Sequence, residues 1–418
     1  VRIGEVARTL GLSPDRIRYY VREGLIIPEP RGRQHDFGPS VLEDLRMLLR
    51  LKELGFSLRE IHRILSLRRV SDPTDPEDLS DLLDLYARKR RELEEQRSRI
   101  EGALSALDRE VEAFCTLRRP QAVRSGVPLR ALELLRCPRC GLPPSLTGAS
   151  VDARWVHEGA LTCPCGYGAQ IREGILRTGN RNTSRYDRPD TTRELYKDLP
   201  SPLVTLFARA HDWMFARMDR LCPPGRTILE THPNAYFFLY IVSGRIPREN
   251  LYVVIDKFPE TLEMYKRKID LLGRELDILY LADASLDYPL REGCFDGFVD
   301  FFGSNEEGFY REKFLLYGLD RFLAPEAGVL GTYFHYPPRS RSVKNLCAEY
   351  PEATPRNFDL ALYRRSLAET GFAVLEEERI GSVTDAGKNL AFSFHEPGEE
   401  LGLFSFLARR TPAGADRR

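Results

Sequence analysis

Four cysteines in two tight pairs offer the clearest site chemistry in this chain: Cys137 and Cys140 in LRCPRCGLPPSL, and Cys163 and Cys165 in LTCPCGYGAQIREGI. In the first pair, a proline after the first thiolate and a glycine after the second favour a tight knuckle that turns both sulfurs toward one ion. The expectation is a structural Zn²⁺ ribbon and not a catalytic centre, because four thiolates leave no position open for water. The C-x-C half is one residue shorter than the usual C-x-x-C knuckle, so His157 is a spare donor. A redox dithiol or a metal-free relic of a ribbon is the alternative. Cys115, Cys222, Cys294 and Cys347 stand alone.

A second chemistry lies near the N-terminus, where Arg16, Arg18, Tyr19, Tyr20 and Arg22 crowd one short segment. Ile3, Val6, Ala7 and Leu10 predict a helix that Gly11 ends. Ser13 is the expected N-cap and Pro14 the first-turn residue of a second helix, running to about Glu23. Ile17, Val21 and Tyr20 can pack inward, which turns Arg16, Arg18, Tyr19 and Arg22 outward as a face suited to a DNA major groove. A hairpin-like wing follows. Leu42, Leu45, Leu48 and Leu49 mark a third helix, and Ser57 to Glu60 is a capping box for a fourth. After a break over 71–76, the span from about Glu77 to Phe114 reads as one long helix. Its apolar residues Leu79, Leu82, Leu83, Tyr86, Leu93, Ile100, Leu104, Leu107, Val111 and Phe114 recur mostly at coiled-coil steps, which predicts pairing with a second copy.

The third set is acidic. From about Arg185 onward apolar strands alternate with amphipathic helices, the pattern of an α/β doubly wound sheet. Thr227 to Glu230, Leu251 to Ile255 and Ile278 to Leu281 are expected strands that close on Glu230, Asp256 and Asp283. Ligands of such sheets sit at the carboxyl ends of the strands, where an acid can accept from a ribose hydroxyl or an adenine amine. His211, His232 and His335 are the candidate bases, but spacing assigns none of them a partner and no catalytic residue is named.

The I-G-E-x-A opening (Ile3 to Ala7), IRYYVREGLI (Ile17 to Ile26) and GFSLREI (Gly55 to Ile61) resemble the MerR family of bacterial transcription regulators over residues 1 to about 115. The resemblance implies DNA contacts from Arg16, Arg18, Tyr19, Tyr20 and Arg22, with Arg18 and the tyrosines mainly on phosphate, and from Arg31 and Arg33 in the wing. It also implies an antiparallel homodimer through the long helix, a pseudo-palindromic operator in double-stranded promoter DNA, and action on RNA polymerase. Gln34, His35, Asp36 and Phe37 stand where the family grips the backbone with Tyr and Arg, and Asp36 opposes phosphate. No cysteine starts the long helix, which argues against the family's metal-sensing class.

LRCPRCG, CPCGYG and IREGILR are similar to the zinc ribbons beside ribosomal RNA guanine methyltransferase domains. IDKFPETLEMYKRK, LADASLDYPLREGCFDGFV and LDRFLAPEAGVLGTYF resemble class I S-adenosylmethionine-dependent methyltransferases. By position Glu230 would begin the first cofactor loop, Asp256 would meet the ribose and Asp283 would lie near adenine. That family's loop carries glycines where backbone approaches the cofactor, whereas this chain reads ETHPNAYFF; His232, Pro233, Asn234 and Ala235 add bulk there and argue against ordinary S-adenosylmethionine binding.

Lys+Arg and Asp+Glu both number 62, so no global field attracts polyanions and DNA affinity must come from local clustering. No leader or membrane-spanning run is expected, which places the protein in the cytoplasm without a membrane partner. The expected organisation is multidomain: 1–75, an all-α winged helix-turn-helix; 76–115, the dimerisation helix; 116–180, the zinc ribbon; 181–418, a Rossmann-like methyltransferase domain. The expected function is a DNA-binding regulator whose C-terminal domain senses an unknown small-molecule effector or binds a partner. The alternative is an active methyltransferase on RNA or a small molecule with an autoregulatory DNA-binding segment, and an architectural DNA binder without a ligand is the third reading.

Overall fold

In a computed structural model, residues 1–418 are described except 32–33, 71–75, 116–120, 222, 388 and 412–418. Two units, Val1–Arg118 and Arg119–Arg418, divide the chain.

In the first unit, α1 (Ile3–Leu10) ends where Gly11 takes φ 63 and gives its N–H to the Ala7 carbonyl, a conformation that costs glycine little. α2 (Pro14–Arg22) starts at Ser13, whose hydroxyl accepts the Arg16 N–H at 3.2 Å. β1 (Glu29–Arg31) and β2 (Gln34–Asp36) pair antiparallel as the wing. α3 (Pro39–Glu53) and α4 (Leu58–Val70) follow. The Ser57 N–H donates to Glu60 at 2.7 Å and the Glu60 N–H to the Ser57 hydroxyl at 3.3 Å, closing the expected capping box. Val6, Ile17, Tyr20, Leu45, Leu48, Ile61 and Leu65 form the core. Arg69 on α4 ties this arrangement together, donating to Asp44 and to the Leu25 carbonyl, both at 2.7 Å.

α5 (Pro76–Cys115) is a 40-residue helix, about 60 Å long at 1.5 Å per residue. Its first half leans on its own unit through buried Leu85, absent from the expected seam, and through Tyr86, edge-on to Phe56 at 5.3 Å. Leu93, Ile100, Leu104, Leu107, Val111 and Phe114 are exposed. The expected break at 71–75 and Arg33 of the wing lie outside the described residues.

The second unit is built on one twelve-stranded mixed sheet. Its elements are β3 (Val127–Pro128), β4 (Ser145–Val151), β5 (Trp155–Thr162), β6 (Gly168–Arg172), β7 (Ile175–Arg177), α6 (Ser201–Phe215), α7 (Met218–Leu221), β8 (Thr227–Thr231), α8 (Phe238–Val242), β9 (Leu251–Asp256), α9 (Pro259–Leu271), β10 (Asp277–Ala282), β11 (Phe295–Phe301), α10 (Gly303–Glu307), α11 (Leu315–Leu319), β12 (Leu323–His335), α12 (Arg341–Glu349), α13 (Leu360–Glu369), β13 (Phe372–Val383) and β14 (Leu401–Arg410). The strands run β13-β14-β12-β11-β8-β9-β10-β7-β6-β5-β3, with β4 beside β5.

From β10 through β9, β8 and β11 to β12 the pairing is parallel. These strands are covered on both faces, so LYVVID and DILYLA are buried at every position and read as unbroken apolar runs ending in an acid or next to one. β14 inserts antiparallel between β12 and β13. This is the mixed α/β sheet that the methyltransferase resemblance implies. Chain order reverses between neighbours β8 and β11, which makes that junction the topological switch point of the sheet.

The cysteine-bearing hairpins continue the same sheet. β7 pairs in parallel with β10, matching Leu176 to Leu281, and carries β6 and β5 outward from it.

Candidate functional site

On α2, Ile17 and Tyr20 are buried while Arg16, Arg18, Tyr19 and Arg22 are exposed. Burial of that one face leaves the basic face outward beside the wing, where Arg31 is also exposed. The face is braced from within. Arg16 Nε donates to the Tyr20 hydroxyl at 2.9 Å, Arg22 lies over the Tyr19 ring at 5.3 Å, and Arg18 pairs with Asp15 one turn earlier. Tyr20 therefore serves this face from the core side, with its ring packed and its hydroxyl orienting Arg16. Asp36 stands 3.7 Å from Arg31, so the wing's acid is partly matched by the wing's own base.

In the second unit the Cys137, Cys140, Cys163 and Cys165 sulfurs all lie within 4.8 Å of one another. A tetrahedral tetrathiolate with metal–sulfur bonds of about 2.3 Å has sulfurs roughly 3.8 Å apart, so the four fit one metal ion. Both knuckles close through glycine at positive φ, Gly141 at 73 and Gly166 at 84. The Gly141 N–H meets the Cys137 carbonyl at 2.9 Å and the Gly166 N–H meets the Cys163 carbonyl at 2.9 Å, so the short C-x-C half still turns fully. His157, the spare donor, is bonded to Asp152 at 2.8 Å. Cys294 is buried and Cys347 half-buried, neither of them in the cluster; the Cys115 side chain and Cys222 lie outside the described residues.

The strand-end acids arrive where the sequence places them, and protein donors already hold each of them. Glu230 accepts the Phe238 and Leu239 N–H groups at 2.6 and 2.8 Å. Asp256 accepts the Asn234 N–H at 2.9 Å and the Phe258 N–H at 2.8 Å. Asp283 takes the Thr178 hydroxyl at 2.6 Å, the Asn180 amide at 3.0 Å, and the Ser285 N–H and hydroxyl at 2.6 Å. Burial pushes the Glu230 carboxyl up to about 8 against its backbone donors, and burial also raises Asp256.

The altered loop explains this closure. His232 keeps the positive φ, 61, that a glycine would take, and its Nε2 meets Glu307 at 2.9 Å. Asn234 is buried with its amide engaged at both ends: its oxygen accepts the Asp190 N–H and the Thr261 hydroxyl, both at 2.8 Å, and its nitrogen donates to the Arg188 carbonyl at 3.1 Å. Arg193 adds two bonds, to the Asn234 and Ala235 carbonyls at 2.9 and 3.0 Å. The stretch from Arg188 to Tyr196 is thereby strapped onto the loop. Asp256 and Asp283, the acids that the resemblance sets at ribose and adenine, are bonded to the chain itself, and His232, Pro233, Asn234 and Ala235 put side chains where that fold's loop needs clearance, so these residues do not fit an ordinary S-adenosylmethionine site.

A cavity of about 520 Å³ remains at the switch point, bounded by the strap, by Ala235 after β8 and by Phe302, Asn305 and Glu306 after β11. Phe309, Tyr310, Tyr350 and Phe358 line it further. Asp187 and Glu306 face it with Lys257 paired to both, at 3.4 Å from Glu306 and closer to Asp187. Sequence reading missed this trio. Its one available signal was the lysine after a strand-end acid in IDKF. Among the histidines considered as bases, burial lowers the pKa of His211 and His335.

Family comparison matches residues 1–67 to the MerR HTH family regulatory protein description and residues 42–109 to the MerR, DNA binding description. The HTH-type transcriptional regulator HmrR of Rhizobium leguminosarum bv. viciae is 36% identical over 120 residues, covering 28% of this chain and 79% of that protein. The mercuric resistance operon regulatory protein of Bacillus cereus is 39% identical over 69 residues, covering 16% and 52%. The chain spans about half the length of most of these relatives. Among solved structures, geranyl diphosphate C-methyltransferase from Streptomyces coelicolor A3(2) aligns with TM-score 0.38 and 13% identity over 56% of this chain and 91% of that chain. The MccD protein aligns with TM-score 0.37 and 13% identity over 47% and 96%. The reading helix, the wing, the capped fourth helix and the long α5, together with the HmrR match, lead to one assignment: the chain belongs to the MerR family.

Proposed function

We propose that this protein is a homodimeric MerR-type regulator of promoter DNA whose methyltransferase-like unit senses a small molecule. Arg16, Arg18, Tyr19, Arg22, Arg31 and Arg33 contact the duplex, and Tyr20 orients Arg16. The exposed α5 residues from Leu93 to Phe114 form the dimer seam, since a narrow apolar stripe of that length needs a partner. Cys137, Cys140, Cys163 and Cys165 hold a structural Zn²⁺. The organisation is 1–75 for DNA reading, 76–115 for dimerisation, 116–180 for the ribbon and 181–418 for sensing.

The observation that carries the sensing role is the contrast at the sheet's carboxyl edge. The cofactor acids are consumed by the chain itself, yet the switch point, where such sheets bind ligands, keeps a cavity of about 520 Å³. An effector there would act by binding one dimer geometry better than the other. The dimer would then bend or twist the promoter so that RNA polymerase engages both its elements, drawing on DNA deformation energy.

The test uses the full chain and a random duplex library. An inverted repeat should be enriched, and replacing Arg16, Arg18 and Arg22 by alanine should weaken binding and flatten the salt dependence by about 2 in slope for two protomers, at roughly 0.9 for the one phosphate per protomer that Arg18 no longer neutralises. Unchanged affinity and slope would refute the assignment of α2. Transfer of a labelled methyl group from S-adenosylmethionine to RNA or cell extract would instead establish an enzyme.

A further inference from the structure

We infer that the switch-point cavity is shaped for an apolar, aromatic-sized molecule carrying one positive charge, such as a protonated amine. The inference rests on the reading above that this cavity takes a small molecule, and it adds the ligand's chemical class.

Two features of the cavity converge on that class. Its walls are aromatic: Phe302, Phe309, Tyr310, Phe334, Tyr350 and Phe358 contribute rings. Aromatic faces attract cations through the ring quadrupole, and already do so here, since the Lys257 ammonium lies 4.2 Å from the centre of the Tyr310 ring. The second feature is a charge imbalance. Asp187, 5% exposed, and Glu306 share the single Lys257 ammonium, two carboxylates to one base. Among the described residues Lys257 is the one bonded partner of the Glu306 carboxylate.

The remaining charged groups do not redress the imbalance. Asp190 is taken up by the Glu194 and Leu195 N–H groups at 2.7 and 3.2 Å and by Arg193 at 3.6 Å. Glu194 pairs with Lys197 at 2.5 Å. Arg185 and Arg188 sit on the exposed rim, where water and salt screen them. Burial pushes the Asp187 carboxyl up to about 7 against the pull of the Lys257 ammonium, as fits an acid short of positive charge.

Three fluorescent probes with one skeleton test the inference on the full chain: pyrenebutylammonium, pyrenebutanol and pyrenebutyrate. The ammonium should bind about tenfold more tightly than the alcohol, and the carboxylate most weakly. Glu306→Gln and Asp187→Asn each leave one acid to one base. Either variant should reduce the ammonium's affinity by about fivefold or more and leave the alcohol within about twofold. Should one variant fail to fold, the other still decides. Alcohol binding equal to ammonium, tightest binding by the carboxylate, or an ammonium preference that survives both substitutions would overturn the charge assignment alone and leave sensing by this cavity standing. Binding of none of the three would overturn both.

Discussion

Asn234 stands where a methyltransferase loop needs clearance, and its amide makes three hydrogen bonds, two to the strap and one to Thr261 on α9. Asn234→Ala removes all three and leaves the Asp190 N–H, the Arg188 carbonyl and the Thr261 hydroxyl without their partner. Leaving a buried polar group unsatisfied costs about 1–3 kcal/mol. The Thr261 hydroxyl can rotate and water can enter the vacated space, so the net loss should be about 3 kcal/mol. The loss should be local, because Arg193 still grips the Asn234 and Ala235 carbonyls and the sheet beneath is untouched. Amide hydrogen exchange of the full chain reads it directly. The Asp190, Glu194 and Leu195 amides should exchange roughly 100-fold faster at about 1.4 kcal/mol per decade, while those of β9, β10 and β14 stay unchanged. A change below about threefold in the strap would refute the claim that Asn234 secures it. Equal acceleration throughout the sheet would show instead that Asn234 supports the whole unit.

Chelation of the metal, or Cys137→Ser, should release one ion per chain and speed exchange over 163–180, since β7 delivers Thr178 and Asn180 to Asp283; substoichiometric metal in protein purified without chelator would contradict this. Leu104→Glu at the exposed part of α5 should convert the dimer to a monomer by sedimentation, and a monomeric parent chain would remove the seam altogether. Glu230 has a folded pKa of about 8 against an ordinary 4.5, so the folded state holds the proton more tightly. Its contribution to stability is full below 4.5 and is lost as pH rises through 8. Glu230→Gln should therefore flatten the decline in unfolding free energy across that window; an identical pH profile would show that the carboxyl stays ionised on its two backbone donors.

Local rules made much of this protein legible. Gly11, Ser13 and Pro14 define the turn between the first helices because each satisfies a backbone demand its neighbours cannot, and the spacing of Ile17 and Tyr20 turns Arg16, Arg18, Tyr19 and Arg22 outward. The cysteine knuckles and the acid-ended apolar strands are equally local, as each depends on a handful of adjacent residues. Two features were not readable that way. Leu85, absent from the periodic seam, is the α5 residue buried in the core of its own unit, with Leu82 and Tyr86 of the seam packed beside it, because packing partners from distant segments decide which turn of a long helix is covered. The fate of Asp283 likewise depends on donors far away in sequence, since Thr178 and Asn180 reach it across 105 and 103 residues, and the loop after β8 is held where Asn234 meets Asp190 across 44. Composition and spacing place a carboxylate at a strand end but cannot say whether water, a ribose or the chain's own N–H groups will satisfy it. The same holds for Asp187, Lys257 and Glu306, scattered along the chain and joined only when the strap folds over the switch point, where burial forces three charged groups to share one site.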